Sequence, residues 1–201
     1  VVMAIAVGAA LSSAGSSLQG LFRNDLVDPF IIGISAGGAL GWVVGGILGP
    51  GPGWAGETLP RMVLCFLLSM GAVLAAYAIA RRGPEVPIPN LLLAGIAISA
   101  MLTSTAQALI YLFVDNPAET IFSLMGGLGG TRWSEVAVVL PASAVGILVL
   151  ALLGRELNAF GAGEEGARHM GVPVERSKVA IIGAASLLTA LREVDGDGLD
   201  P

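Results

Sequence analysis

Five stretches of the chain, residues 2–22, 30–49, 62–80, 91–114 and 136–154, are apolar and contain no Asp, Glu, Lys or Arg. A helix that crosses the hydrocarbon core of a bilayer needs about 20 such residues, within a range of about 17 to 25. All five meet that length, and a sixth run, 179–191, falls short of it. Hydrocarbon offers no water to backbone N–H and C=O groups, so each stretch predicts a helix that satisfies its own backbone. The chain is 55% hydrophobic and 12% charged, whereas soluble domains carry about 25% charged residues. The expected fold is therefore all-α, a polytopic transmembrane helical bundle of five complete spans and one partial span, with membrane lipid as its solvent. Residues 1–190 form the expected transmembrane domain, and 191–201 a polar tail that holds Glu193, Asp195, Asp197 and Asp200. A secretory signal peptide at 2–22 fits poorly, because no basic segment precedes it and further spans follow. The lack of an initiating Met predicts a fragment or a trimmed N-terminus.

Charge is confined to the connections. Arg23, Arg81, Arg82, Arg155, Arg168, Arg176 and Lys178 fall in the first, third and fifth, and only Arg61 and Arg132 in the second and fourth. The positive-inside rule places the odd connections in the cytoplasm. Trp42, Trp54 and Trp133 lie in or near the opposite connections, two of them where an aromatic belt would sit. The net charge of -5 argues against nucleic acid, which needs a basic face.

The stretch 15–49 combines a charged hinge, Arg23 to Asp28, with a glycine ladder. Gly33, Gly37, Gly41, Gly45 and Gly49 recur at every fourth residue. On a helix such residues lie nearly above one another. In lipid, a stripe of small residues lets a neighbouring helix approach closely, so Gly33, Gly37, Gly41 and Gly45 are read as a packing seam. Gln19, Gln107 and scattered Ser and Thr, among them Ser12, Ser13, Ser16 and Ser17, are the polar groups in the spans, available for interhelical hydrogen bonds or for contact with a solute.

No site of covalent chemistry emerges, and no cofactor is expected. Gly51, Gly53 and Gly56 spell Gly-x-Gly-x-x-Gly, but the dinucleotide reading needs a preceding strand, and here two spans flank it. The only lysine is Lys178 and no P-loop exists, so ATP-driven work falls to a partner. His169 is the only histidine and Cys65 the only cysteine. Neither has a second ligand beside it in sequence, and no intramolecular disulfide is possible. Ion-coupled pumps place ionisable groups at membrane depth, and these spans have none.

Two connections carry more structure than a linker needs. Residues 163–171 read as a short helix with Glu164 and Glu165 in the first turn and Arg168 and His169 in the last, which suits the helix dipole. Gly171 is a natural residue to follow its end, and Pro173 prevents continuation. It is either a surface connector or an element on which a soluble partner docks. Pro84, Pro87 and Pro89 crowd the third connection and fix where the next helix begins, either as a stiff turn or as a constriction at a cytoplasmic mouth.

Four ordered segments resemble the FecCD-type permeases. They are Ser17-Leu18-Gln19-Gly20-Leu21-Phe22-Arg23-Asn24-Asp25-Leu26-Val27-Asp28-Pro29 with Ile32-Gly33-Ile34-Ser35-Ala36-Gly37; Leu91-Leu92-Leu93-Ala94-Gly95; Met125-Gly126-Gly127-Leu128-Gly129-Gly130-Thr131-Arg132-Trp133; and Leu157-Asn158-Ala159-Phe160 with 163–172. The resemblance implies a fragment of a roughly ten-helix membrane subunit of an ABC importer in the cytoplasmic (inner) membrane. It implies three kinds of partner: ABC ATPase subunits, an extracytoplasmic substrate-binding protein and a second permease subunit in a homo- or heterodimer. The subunit itself would not be an enzyme. Gly163, Glu164, Glu165, Ala167, Arg168 and Gly171 would couple to the ATPase, and Pro87, Ile88, Pro89 and Asn90 would form a turn at the cytoplasmic gate. Iron–siderophore is the expected cargo, although haem, cobalamin and molybdate permeases share the motifs. Asp25 departs from the family, which has Pro there, and so do the missing first helix and the 191–201 tail. A chain so truncated is not expected to transport alone. The alternatives are an ion-coupled secondary transporter and a non-transporting scaffold.

Overall fold

The computed structural model describes residues 1–48, 58–81, 86–114, 117–118, 121 and 133–193, with backbone alone at 58, 59, 88, 134, 192 and 193. Eight helices are defined among them: α1 (Val2–Phe22), α2 (Ile34–Leu48), α3 (Thr58–Ala80), α4 (Ile88–Phe113), α5 (Trp133–Leu152), α6 (Gly154–Phe160), α7 (Glu164–His169) and α8 (Val174–Glu193). The described residues contain no strand. Four helices, α1, α3, α4 and α5, are long and apolar enough to cross a membrane. The fold is the all-α transmembrane bundle that the sequence implies.

Helix α2 is the exception among the five expected spans. It is apolar but only 15 residues long, about 22 Å at 1.5 Å per residue. Its first four expected residues are drawn out of the helix by the hinge. Asp28 Oδ1 accepts the N–H groups of Phe30 at 2.6 Å and Ile31 at 3.3 Å, and Gly33 takes a φ of 92°. An L side chain is strained at that φ and glycine is not. Gly33 is therefore not a helical rung. It caps α2, its carbonyl accepting the N–H of Gly37 at 3.0 Å.

The glycine seam faces α3, which runs antiparallel to α2. A Cβ on Gly37 would lie 2.6 Å from Leu68 O and 2.7 Å from Ser69 Cα, and one on Gly41 would lie 2.5 Å from Cys65 Cα. One on Gly45 would meet Arg61 Cγ at 3.0 Å, and one on Gly33 would meet Ala72 Cβ at 3.7 Å. As the seam ascends through 33, 37, 41 and 45, its partners descend through 72, 69, 65 and 61. Ser69 Oγ adds a buried hydrogen bond to Ile34 O at 2.8 Å. Gly95 of α4 packs the same way on the segment between the hinge and α2, where its Cβ would meet Ile31 O at 2.7 Å.

The expected partial span at 179–191 is the best-buried helix of the bundle. α8 starts at Val174, five residues earlier than its apolar run, and packs on α1, α2, α3 and α5. Ile181, Ala185, Leu188, Ala190 and Leu191 are fully buried. Its Ser186 and Thr189 hydroxyls donate to carbonyls one turn back, at 2.9 and 2.8 Å, which hides their polarity inside the core. Two serines of α1 bond one turn back in the same way. Ser16 Oγ bonds Ser12 O at 2.8 Å and Ser17 Oγ bonds Ser13 O at 2.7 Å, so these bonds lie within the helix and not between helices.

One further expectation is corrected. Residues Ile88, Pro89 and Asn90 are not a turn but the opening of α4, with Pro87 as its extended N-cap. Proline is compatible with the first helical turn because the N–H it lacks has no intrahelical partner there. Trp42 keeps its place inside the second expected span. It lies within α2, 9% exposed, with Arg61 Cζ 5.7 Å from its ring centroid. Trp133, at the start of α5, is exposed, as a belt residue should be. The expectations resting on Gly49, 51–56, 82–85, 125–132 and 194–201 lie outside the described residues.

Candidate functional site

One end of the bundle gathers the hinge, the C-terminal end of α3, the short helices α6 and α7, and the start of α8. These are the first, third and fifth connections, which loop charge assigns to one side. Their meeting in space agrees with that assignment. The hinge reaches α7 through Arg23, which ends α1 in a left-handed conformation, φ 51° and ψ 39°. Its Nη1 lies 3.2 Å from where a Cβ on Gly163 would stand. Gln19 Nε2 donates to Asp25 O at 3.0 Å, and Asn24 Oδ1 accepts from Leu26 N at 3.0 Å, which fixes the hinge on α1.

Helix α7 is short but closed at both ends. Gly163, at φ 93°, caps the N-terminus, and its carbonyl accepts the N–H of Ala167 at 2.9 Å. At the other end Gly171 N donates to Arg168 O at 2.9 Å and Val172 N to Ala167 O at 3.0 Å, with Gly171 at φ 82°. This is a Schellman motif, which uses a left-handed glycine to satisfy the last carbonyls. Glu164 and Glu165 lie in the first turn, and Arg168 and His169 in the last.

The six residues assigned to this helix in the sequence divide by direction. Ala167 is fully buried and Glu164 partly so, while Glu165, Arg168, His169 and Met170 are exposed. Gly163 and Gly171 shape the backbone. Glu164 points toward α8, where Lys178 Nζ lies 2.8 Å from its Oε1. The same ammonium lies 3.4 Å from Glu175 Oε1. Tyr77 Oη, from the end of α3, donates to Glu175 Oε2. Lys178 is 5% exposed, and a buried charge is tolerated when it is paired and hydrogen-bonded. Both carboxylates sit in first turns, where the helix dipole favours them.

Sequence reading counted Lys178 only as a loop charge and gave Glu175 and Tyr77 no role. The one available signal was that the sole lysine falls one turn after Glu175, a spacing that pairs side chains on a helix. The link to Glu164 crosses elements and has no sequence signature. The second group, Pro87 to Asn90, lies at the start of α4. Val86 and Leu91 on either side are buried, while Pro87 and Pro89 are exposed. The described residues contain no group of three or more His, Cys, Asp or Glu able to hold a metal.

A bundle of apolar helices, one end of which presents a short capped helix, defines a polytopic membrane protein. The model of the FecCD transport family matches residues 1–192, and the chain belongs to that family. It is 36% identical over 196 residues to the cobalamin import system permease protein BtuC of Halobacterium salinarum, covering 94% of this chain and 50% of that protein. It is 34% identical over 200 residues to the hemin transport system permease protein HmuU of Yersinia pestis, covering 94% and 56%. The chain thus spans about half the length of the curated relatives it matches. A solved inward-facing metal-chelate-type ABC transporter superposes with a TM-score of 0.82 over 96% of this chain and 61% of that one, at 24% identity, which shows a shared fold.

Proposed function

We propose that these residues belong to the permease subunit of an ABC importer, with α7 as the helix that docks on a partner ATPase. The observation that carries this reading is the division of α7. Its outer face, Glu165, Arg168, His169 and Met170, is exposed, while its inner face is tied to the spans by Glu164 and Lys178. A surface connector needs neither two caps nor a buried ion pair. ATP hydrolysis belongs to separate ATPase subunits, and the permease is not itself an enzyme. A substrate-binding protein delivers cargo on the opposite side, and a second permease subunit completes the path.

The cargo we propose is a bulky metal chelate, specifically an iron–siderophore. The relatives' names, cobalamin and hemin permeases, support the broad class. The exposed side of α4 carries Thr103, Ser104, Gln107 and Tyr111, neutral hydroxyl and amide groups that lipid does not require. That side suits the path or the second subunit. The Pro87–Asn90 segment at the start of α4 is the proposed gate region.

The test is uptake by the intact permease in proteoliposomes with its ATPases and binding protein. ATP-dependent uptake of a ferric siderophore, competed by neither cobalamin nor haem, is the expected result. Uptake driven by a proton or sodium gradient without the ATPases would overturn it in favour of a secondary transporter.

A further inference from the structure

We infer that Lys178 is a positioning residue that carries movement of α7 into the membrane-spanning helices, an inference that rests on the docking reading of α7. Four side chains form one continuous path across three elements: Glu164 on α7, Lys178 and Glu175 on α8, and Tyr77 on α3. The links are Glu164 to Lys178 at 2.8 Å, Lys178 to Glu175 at 3.4 Å, and the Tyr77 hydroxyl to the second oxygen of Glu175. α8 is the helix most deeply set in the bundle and touches α1, α2, α3 and α5. The Lys178 ammonium thus joins α7 to a helix that touches four others.

Burial makes this link stiff. Removing one partner of a buried charge pair leaves the other uncompensated, which is far more costly than breaking a pair in water. Lys178 is 6% exposed at its side chain, against 27% for Glu164. The lysine is therefore the fixed member and the glutamate the movable one. When α7 shifts, separating the pair is unfavourable, and α8 follows. Elsewhere on α7, Glu165, Arg168 and His169 are exposed, and Ala167 is buried without a polar group.

The experiment uses the intact permease with its ATPases and binding protein in nanodiscs, comparing Lys178→Met, Glu164→Gln and the double variant. The readouts are co-purification of the ATPases, and the ratio of ATPase rate with loaded binding protein to the basal rate. The expected result is normal co-purification with a stimulation ratio lowered roughly tenfold in each single variant, within the range of typical coupling between sites. The double variant should be no worse than Lys178→Met alone, because both remove one link. A wild-type stimulation ratio in both single variants overturns the inference. If Lys178→Met fails to assemble, Glu164→Gln alone decides, since glutamine keeps the shape and the acceptor oxygen. Docking is read separately through Glu165→Ala and Arg168→Ala. ATPase binding unchanged there overturns the docking reading and this inference together. Weakened binding there with wild-type stimulation in the other two variants overturns this inference alone.

Discussion

Gly41 and Cys65 meet backbone to backbone: a Cβ on Gly41 would stand 2.5 Å from Cys65 Cα and 2.8 Å from Cys65 N. Neither atom can swing aside, as the end of a flexible side chain could. Gly41→Ala must therefore part α2 from α3, or bend one of them. Overpacking of this kind costs about 1 to 3 kcal/mol. Gly71 on α3 has nothing within 4 Å of its Cβ position, and alanine there removes a helix-interior glycine, a gain of roughly 0.5 to 1 kcal/mol. Thermal unfolding in detergent should rank Gly41→Ala below wild type and Gly71→Ala level with it or above. Equal midpoints for the two variants would contradict the seam.

The seam also shows how far sequence reaches. The four-residue spacing of the glycines announced close helix packing, and packing on α3 followed it. The partner was not legible, because α3 contributes Ala72, Ser69, Cys65 and Arg61, which share no composition. The start of α2 was not legible either. Asp28 and Gly33 take the residues between them out of an apolar run that hydropathy alone would make helical. The depth of α8 was hidden for a related reason. Glu175, Arg176 and Lys178 read as a loop, yet Lys178 pairs with both Glu175 and Glu164, and the helix begins among them. The capped helix α7 was read in full, since dipole charges and a terminal glycine are local signals. The inward direction of Glu164 is a property of the fold.

Gly171 is required by conformation and not by space. Its φ is 82°, and nothing lies within 4 Å of its Cβ position. Gly171→Ala therefore adds no clash but places an L residue in the left-handed region, at a cost of about 1 kcal/mol. Asparagine tolerates that region better than alanine, so Gly171→Asn should lie between the two. Amide hydrogen exchange across 164–172 should rise in the order wild type, asparagine, alanine. Unchanged protection in Gly171→Ala would mean that the Schellman bonds do not hold α7.

Sidedness can be checked with cysteine chemistry, because Cys65 is fully buried. A membrane-impermeant maleimide should leave the native protein unlabelled in intact cells. His169→Cys should react only after the cytoplasmic face is opened, and Trp133→Cys, at an exposed site, should react from outside. Labelling of His169→Cys in intact cells would reverse the topology drawn from loop charge and from the meeting of the odd connections.

Arg61 and Trp42 bind the opposite end of the α2–α3 pair. The guanidinium carbon lies 5.7 Å from the Trp42 ring centroid, and the Arg61 stem runs past Gly45. A cation over an indole face contributes about 0.5 to 2 kcal/mol, more as water is excluded, and Trp42 is nearly buried. Arg61→Met keeps much of the stem packing and removes the charge; Trp42→Leu keeps an apolar side chain and removes the ring. In a double-mutant cycle followed by thermal unfolding, the two should be non-additive by about 1 kcal/mol, as expected for residues in contact. Gly45→Ala should be milder than Gly41→Ala, because its 3.0 Å contact is with Arg61 Cγ, an atom that can move. Strict additivity in the cycle would show that the proximity of Arg61 and Trp42 contributes nothing to the pairing of these helices.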